Sequence, residues 1–190
     1  MQLWEQNPQW READLYFDFS KAIRAIRFDD EDQKTFAHPM KAVDFVVEWE
    51  KQFWLIEVKD PECVQIPVQH RTRQQAQFRQ DLLGGQLVEK HLFPKLRDTL
   101  IYLGLDAGIP AKPLRYLSLI GLETLEVAEL EGLRNKLWQY AWVAGPKRGW
   151  HKPFDVHALN VSQWNRLLTQ CPITRISHQS GDSNGQEGVA

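Results

Sequence analysis

The stretch Val43–Lys59 constrains this chain more than any other. Two runs rich in Val, Ile, Phe and Trp, Val43–Trp49 and Gln52–Lys59, flank a charged break at Glu50-Lys51. Such runs around a short break read as a β-hairpin. Neither break residue is Gly or Asn, so the turn rests on loop length rather than on turn chemistry. With a two-residue loop, Trp49 faces Gln52, and counting outward sets Asp44 opposite Glu57. Side chains alternate faces along a strand. One face then carries Val43, Phe45, Val47, Trp49, Trp54, Ile56 and Val58, interrupted only by Gln52, and must lie on a core. The other carries Asp44, Val46, Glu48, Phe53, Leu55, Glu57 and Lys59. Its middle is apolar and its far end is charged.

At that far end two carboxylates stand about 5 Å apart at Cβ, an unfavourable pairing when both are ionised. A divalent cation between them would relieve the repulsion, and so would a neighbouring ammonium. Oxygen donors of this kind suit Mg²⁺, with waters filling the rest of an octahedral shell.

Asp44 on one strand and Glu57-Val58-Lys59 on the next resemble the PD-(D/E)XK motif of the restriction-endonuclease-like nucleases. The leading proline of that motif is missing, since Ala42-Val43 precedes Asp44; that proline is not a catalytic group. The resemblance implies an α/β fold with a restriction-endonuclease-like α-β-β-β-α-β core, its mixed central sheet flanked by helices, with C-terminal additions. It implies a metal-dependent nuclease hydrolysing nucleic-acid phosphodiester bonds, with DNA the first expectation and RNA left open. Asp44 and Glu57 would ligate Mg²⁺ (or Mn²⁺), the carbonyl of Val58 would be a third ligand, and Lys59 would orient water or stabilise charge on the phosphorane. The alternative under the same resemblance is an inactive nuclease-fold module serving in nucleic-acid binding or complex assembly. A homodimer or a larger defence or repair complex stays open.

A chain of 190 residues suits one domain. The expected organisation is a single nuclease-like domain over 1–177, its core about 12–122 and an elaboration 123–177, followed by a disordered Gly/Ser/Asn/Gln tail over 178–190. A formal net charge of −2 argues against a strongly basic nucleic-acid binder. It leaves room for a local basic groove aided by a metal. Two distant cysteines, Cys63 and Cys171, give neither a disulfide framework nor a zinc spacing. With no signal peptide and no membrane-length apolar run, a cytoplasmic location is expected. Eight tryptophans, three of them in polar surroundings (Trp4, Trp10, Trp150), keep a protein-interaction role in view.

Along the chain, Leu15, Phe19, Ala22, Ile23 and Ile26 form a helical stripe and predict a helix over 12–27. The resemblance adds a metal-facing acid on that first helix, for which Glu12, Asp14 and Asp18 are candidates. Asp29-Asp30-Glu31-Asp32 lacks the alternation and glycine of a calcium loop and reads as a solvated turn. Thr35–Met40 reads as a short strand or loop, with His38 at the surface. Asp60-Pro61 ends the hairpin's second strand. Residues 62–81 interleave Gln65, Gln69, Gln74, Gln75, Gln77 and Gln80 with His70, Arg71, Arg73 and Arg79. Arg71 and Arg73 are the candidate nucleic-acid contacts. Gly84-Gly85 breaks a helix that resumes over Gln86–Leu103, with Pro94 bending it or marking a new first turn; Lys90, Lys95 and Arg97 read as a solvated face or as phosphate contacts. Leu114–Leu122 reads as a buried strand, Thr124–Tyr140 as a helix, Ala141–Val143 as a short strand, and Phe154–Leu159 as an edge strand. Ser162 would cap a helix running to Leu168. The basic, aromatic loop Gly145–Pro153 reads as a surface loop or a strand-holding element.

Overall fold

The computed structural model describes residues 3–29, 40–106 and 108–179, apart from the side chains of residues 3, 4, 141, 142 and 179. The chain opens with a short turn of helix, α1 (Leu3–Gln6), and a 3-10 turn (Pro8–Trp10). Five strands follow: β1 (Arg11–Glu12), β2 (Leu15–Phe17), β3 (Arg24–Arg27), β4 (Phe45–Glu48) and β5 (Phe53–Lys59). Next come α2 (Val68–Gly84), a π-helical turn (Val88–Leu92), α3 (Phe93–Asp106), β6 (Leu114–Ile120), α4 (Val127–Trp138) and α5 (Ala141–Ala144). The C-terminal part is β7 (Phe154–Leu159), α6 (Val161–Leu167), β8 (Ile173–Arg175) and α7 (Ile176–Gln179).

The fold is mixed α/β. A five-stranded sheet has the order β3-β4-β5-β6-β7, and a three-stranded one the order β1-β2-β8. In the larger sheet β3, β4 and β5 run antiparallel, whereas β5, β6 and β7 run parallel. Parallel neighbours need a long crossover. Helices α2 and α3 supply it between β5 and β6, and α4 and α5 between β6 and β7. The hairpin has the register expected from its loop: Phe45 pairs with Ile56 and Glu48 with Phe53, and the Trp49 amide donates to the Gln52 carbonyl at 2.9 Å.

Both faces of the sheet are covered. Val46, Leu55, Tyr116 and Ile120 pack with Leu92, Leu96, Leu133 and Leu137 on the helical side. Phe45, Val47, Trp54, Ile56 and Val58 pack on the other side with Leu15, Phe17, Phe19 and Trp164. Val43 departs from the expected face and joins the helical side. It precedes β4, where strand alternation no longer applies, and its amide is taken by Thr99 Oγ1 at 3.0 Å. Among the described residues no helix is long and apolar enough to cross a membrane.

The helix expected over 12–27 is absent; β1, β2 and β3 occupy it. Tyr16 and Phe17, off the helical stripe, are buried, whereas Ile23, on it, is 63% exposed. Pairing of β2 with the distant β8, and of β3 with β4, outweighs local periodicity. The leading helix of the expected core is therefore replaced by strands. Two smaller expectations also fail. Ala141–Val143 is helical, within α5. The cap of α6 is Asn160, whose side chain accepts from the Gln163 amide at 2.8 Å, rather than Ser162. The segment 35–39 and residues 180–190 lie outside the described residues.

A buried clamp joins the two sheets. Arg175 on β8 donates to both oxygens of Asp60, each at 2.9 Å, and lies 3.5 Å from Asp14. Gly121 lies against it: a Cβ there would stand 2.3 Å from Asp60 Oδ1. Gly121→Ala is expected to cost roughly 1–3 kcal/mol, the usual range for overpacking a tight site. Urea denaturation should read this as a lower midpoint at unchanged slope.

Candidate functional site

Strand β5 lies between β4 and β6, and its C-terminal end places Glu57 and Lys59 on the helical side. Glu57 is fully buried. Asp44 sits one residue before β4 and is fixed from two directions. The Val58 amide donates to Asp44 Oδ2 at 2.6 Å, and the Phe28 amide donates to the Asp44 carbonyl at 2.8 Å. Helix α3 grips the residues leading into it: Asp98 Oδ2 accepts from the Lys41 amide at 3.0 Å, and Thr99 Oγ1 from that of Val43. Lys59 Nζ lies 2.7 Å from Glu57 Oε1. The structure thus brings Asp44, Glu57 and Lys59 to one place, and fixes Asp44 before any ligand arrives.

A fourth group stands at the centre. Lys95 Nζ lies 3.1 Å from Glu57 Oε1, 3.2 Å from Asp44 Oδ1 and 2.9 Å from Asp29 Oδ2. Its position follows from Pro94. Proline has no N–H and cannot close an α-helical bond to Lys90. The backbone widens into a π-turn instead, with the Phe93 amide on the Val88 carbonyl, and Lys41 Nζ takes the Lys90 carbonyl at 3.1 Å. Such π-turns recur at functional sites. Here the turn sets Lys95 in the first turn of α3, directly over the carboxylates.

The electrostatics are those of charges held out of water. Burial, then the charge of Asp44, pushes Glu57 up to about 8, against the pull of Lys59 and Lys95. Burial also opposes the charge on Lys95, but Glu57, Asp44 and Asp29 outweigh it and hold that ammonium above the ordinary lysine range. Both ammoniums address Glu57 Oε1. Glu57 Oε2 is buried with no hydrogen-bond partner. A proton or a cation would therefore bind at Oε2. His91, exposed on the π-turn, is lowered by partial burial and then by Lys59, Lys41 and Lys95, which marks a cationic rim around the carboxylates.

The other anticipated residues divide. Of the three N-terminal acids, Glu12 is the one that feels the cluster: burial, then Asp44, raises it, while Arg27, 2.8 Å away, and Lys95 lower it. Asp14 belongs to the Arg175 clamp and accepts from Ser177 Oγ at 2.6 Å; Asp18 accepts from the Ser20 amide at 3.0 Å. Arg71 donates to the carbonyls of Ile66 and Val64 at 2.9 and 3.0 Å, closing the loop before α2, and Arg73 is exposed on α2. Gly145–Pro153 precedes β7 and so lies at the opposite end of the sheet from Glu57. Asp29, expected in a solvated turn, reaches Lys95; its neighbours 30–32 lie outside the described residues. A signal for Lys95 was present in Pro94-Lys95, a helix restart that carries a cation.

Hard oxygen donors and an unpartnered buried carboxylate oxygen fit a magnesium-like ion. Among the described residues no three His, Cys, Asp or Glu side chains are grouped to hold one. An ion here would use two carboxylates and complete its shell with backbone and water, as Mg²⁺ commonly does.

The raised Glu57 has a consequence for stability. Unfolded, its carboxyl loses its proton in the ordinary carboxylate range; folded, it keeps the proton up to about 8. Between those values the folded chain binds more protons, so raising pH favours unfolding. Thermal melts of the wild type should fall in Tm from pH 5 to about 8 and then level. Glu57→Gln should flatten that slope.

Compared with known proteins, the chain matches no protein-family model, no curated protein and no solved structure.

Proposed function

We propose that this protein is a divalent-metal-dependent nuclease that hydrolyses phosphodiester bonds of nucleic acid, with DNA as the first substrate. The observation that carries the reading is the convergence of Asp44, Glu57 and Lys59 at the end of the central strand, with Glu57 Oε2 buried and unpartnered. In an extended strand the N–H and C=O of one residue point to the same edge. The Val58 amide meets Asp44, so the Val58 carbonyl faces that side too and can serve as the third protein donor. A bound Mg²⁺ or Mn²⁺ would polarise the scissile phosphate and lower the pKa of its water.

The chain's own residues do the rest. Asp44 is immobilised through Val58 and α3, so the donor geometry is set in advance. Lys59, partly exposed, presents a compact charge with rotatable donors to the attacking water or the phosphorane oxygens. Lys41 and His91 stand beside the cluster, where a phosphate backbone would run. Arg73 is free to meet a phosphate farther along α2. Arg71 could do so only by giving up its two loop carbonyls.

A second reading has its own support. The ammonium of Lys95 already sits between Asp44 and Glu57, as it would in a nuclease fold kept for binding nucleic acid after losing catalysis. A mixed panel of single- and double-stranded DNA and RNA, incubated with Mg²⁺ or Mn²⁺, separates the two. The nuclease reading expects cleavage, and Asp44→Ala and Lys59→Ala each lower its rate by at least about a hundredfold without unfolding. Binding without cleavage favours the second reading, and wild-type rates in either variant refute the assignment of these residues. On either reading, affinity for nucleic acid should fall as salt rises from about 50 to 200 mM, because phosphate contacts release counterions. Fluorescence anisotropy measures this directly.

A further inference from the structure

The geometry points to Lys95 as a tethered counter-ion that holds the metal-free site closed and that a divalent cation must displace before Asp44 and Glu57 can both ligate it. This rests on the metal-dependent reading above. Three facts carry it. Lys95 Nζ touches carboxylate oxygens of Asp29, Asp44 and Glu57, and the last two are the oxygens a hard cation would share. An ammonium and a dication cannot occupy the same oxygen cage, because their repulsion is strongest where water is excluded. The ammonium also has somewhere to go. Its side chain is 15% exposed and Asp29 is 44% exposed, so Asp29 marks the outer, wet end of the cluster. Lysine's four-carbon stem and rotatable donors allow it to let go of Asp44 and Glu57 while keeping Asp29.

Lys59 is not the competitor. It meets Glu57 Oε1 from two residues farther along the same face of β5, with its side chain 25% exposed, and no ion pair joins it to Asp44 among the described residues. Lys95 is held by α3, and its position is imposed by the π-turn and Pro94 rather than by β5. The counter-ion and the metal donors therefore belong to separate elements, as a displaceable plug requires. Lys95 acts here as a positioning and gating residue toward the ion, not as a catalytic residue.

The test is Mn²⁺ binding, read without any substrate. Isothermal titration and electron paramagnetic resonance of free Mn²⁺ are run on the wild type, Lys95→Met and Lys95→Arg, with thermal melts in parallel. Lys95→Met keeps the aliphatic stem and removes the charge. It is expected to bind Mn²⁺ about tenfold more tightly and to gain more Tm from the ion, since a competing cation has gone. Lys95→Arg should bind no more tightly than the wild type. If Lys95→Met does not fold, Lys95→Gln carries the same expectation. Equal or weaker binding by the neutral variants overturns the plug while leaving the metal reading intact. No Mn²⁺ binding by wild type or variant at millimolar concentration overturns the metal reading, and the plug with it.

Discussion

A carboxylate with no access to water governs the construction of this protein. Glu57 lies in the strand at the middle of the larger sheet, covered by helices, and both its oxygens are buried. An isolated charge in such a place is not tolerated; it must be paired, hydrogen-bonded or neutralised. Lys59 and Lys95 supply the pairing for one oxygen, and the raised proton affinity of the carboxyl accounts for the other. Burying a carboxylate in this way is a poor route to stability, because breaking even with desolvation takes good geometry. Perturbed groups of this sort cluster at functional sites, and that makes Glu57 the centre of the functional proposal.

The surrounding architecture serves the placement of four side chains. Asp44 and Glu57 come from neighbouring strands of a hairpin whose register is closed by its loop. Lys59 follows Glu57 by two residues and so shares its side of the strand. Lys95 comes from the crossover helix, which also grips the backbone at Lys41 and Val43 through Asp98 and Thr99. One helix therefore fixes both the carboxylate's approach and the cation facing it.

On the proposed nuclease reading, the balance of charge would let an overall acidic chain address phosphates. The formal net charge is −2, but at the end of β5 the carboxylates are buried and Lys59, Lys41 and His91 stand around them. Asp44 and Glu57 face inward while Lys59, Lys41 and His91 line the rim, so on the proposed reading a polyanion would meet the rim before those two acids. A bound divalent ion would strengthen that field further. On the proposed metal-dependent reading, metal use and catalytic silence would differ at one atom, the Lys95 ammonium, according to whether it leaves or stays.

Much of the site was legible in the chain itself. Alternation along Val43–Lys59 and a two-residue loop were enough to set Asp44 beside Glu57 and Lys59, because strand pairing and side-chain direction are local consequences of covalent geometry. The strand Leu114–Ile120 was legible for the same reason, as an apolar run too short for a helix. The first quarter of the chain was not. Leu15, Phe19 and Ile26 carry a helical period, yet β2 pairs with β8, more than 150 residues away, and no local pattern records a partner at that distance. The meeting of Asp29 with Lys95 was hidden likewise: Pro94 marks where a helix restarts with a cation, but each charge reads as a surface group until the crossover folds α3 over the sheet. The sequence alone determined which carboxylates share a strand pair, since that depends on neighbours. Only the tertiary structure decided which cation faces them and how deeply they are buried, since both depend on contacts between segments that the chain keeps far apart.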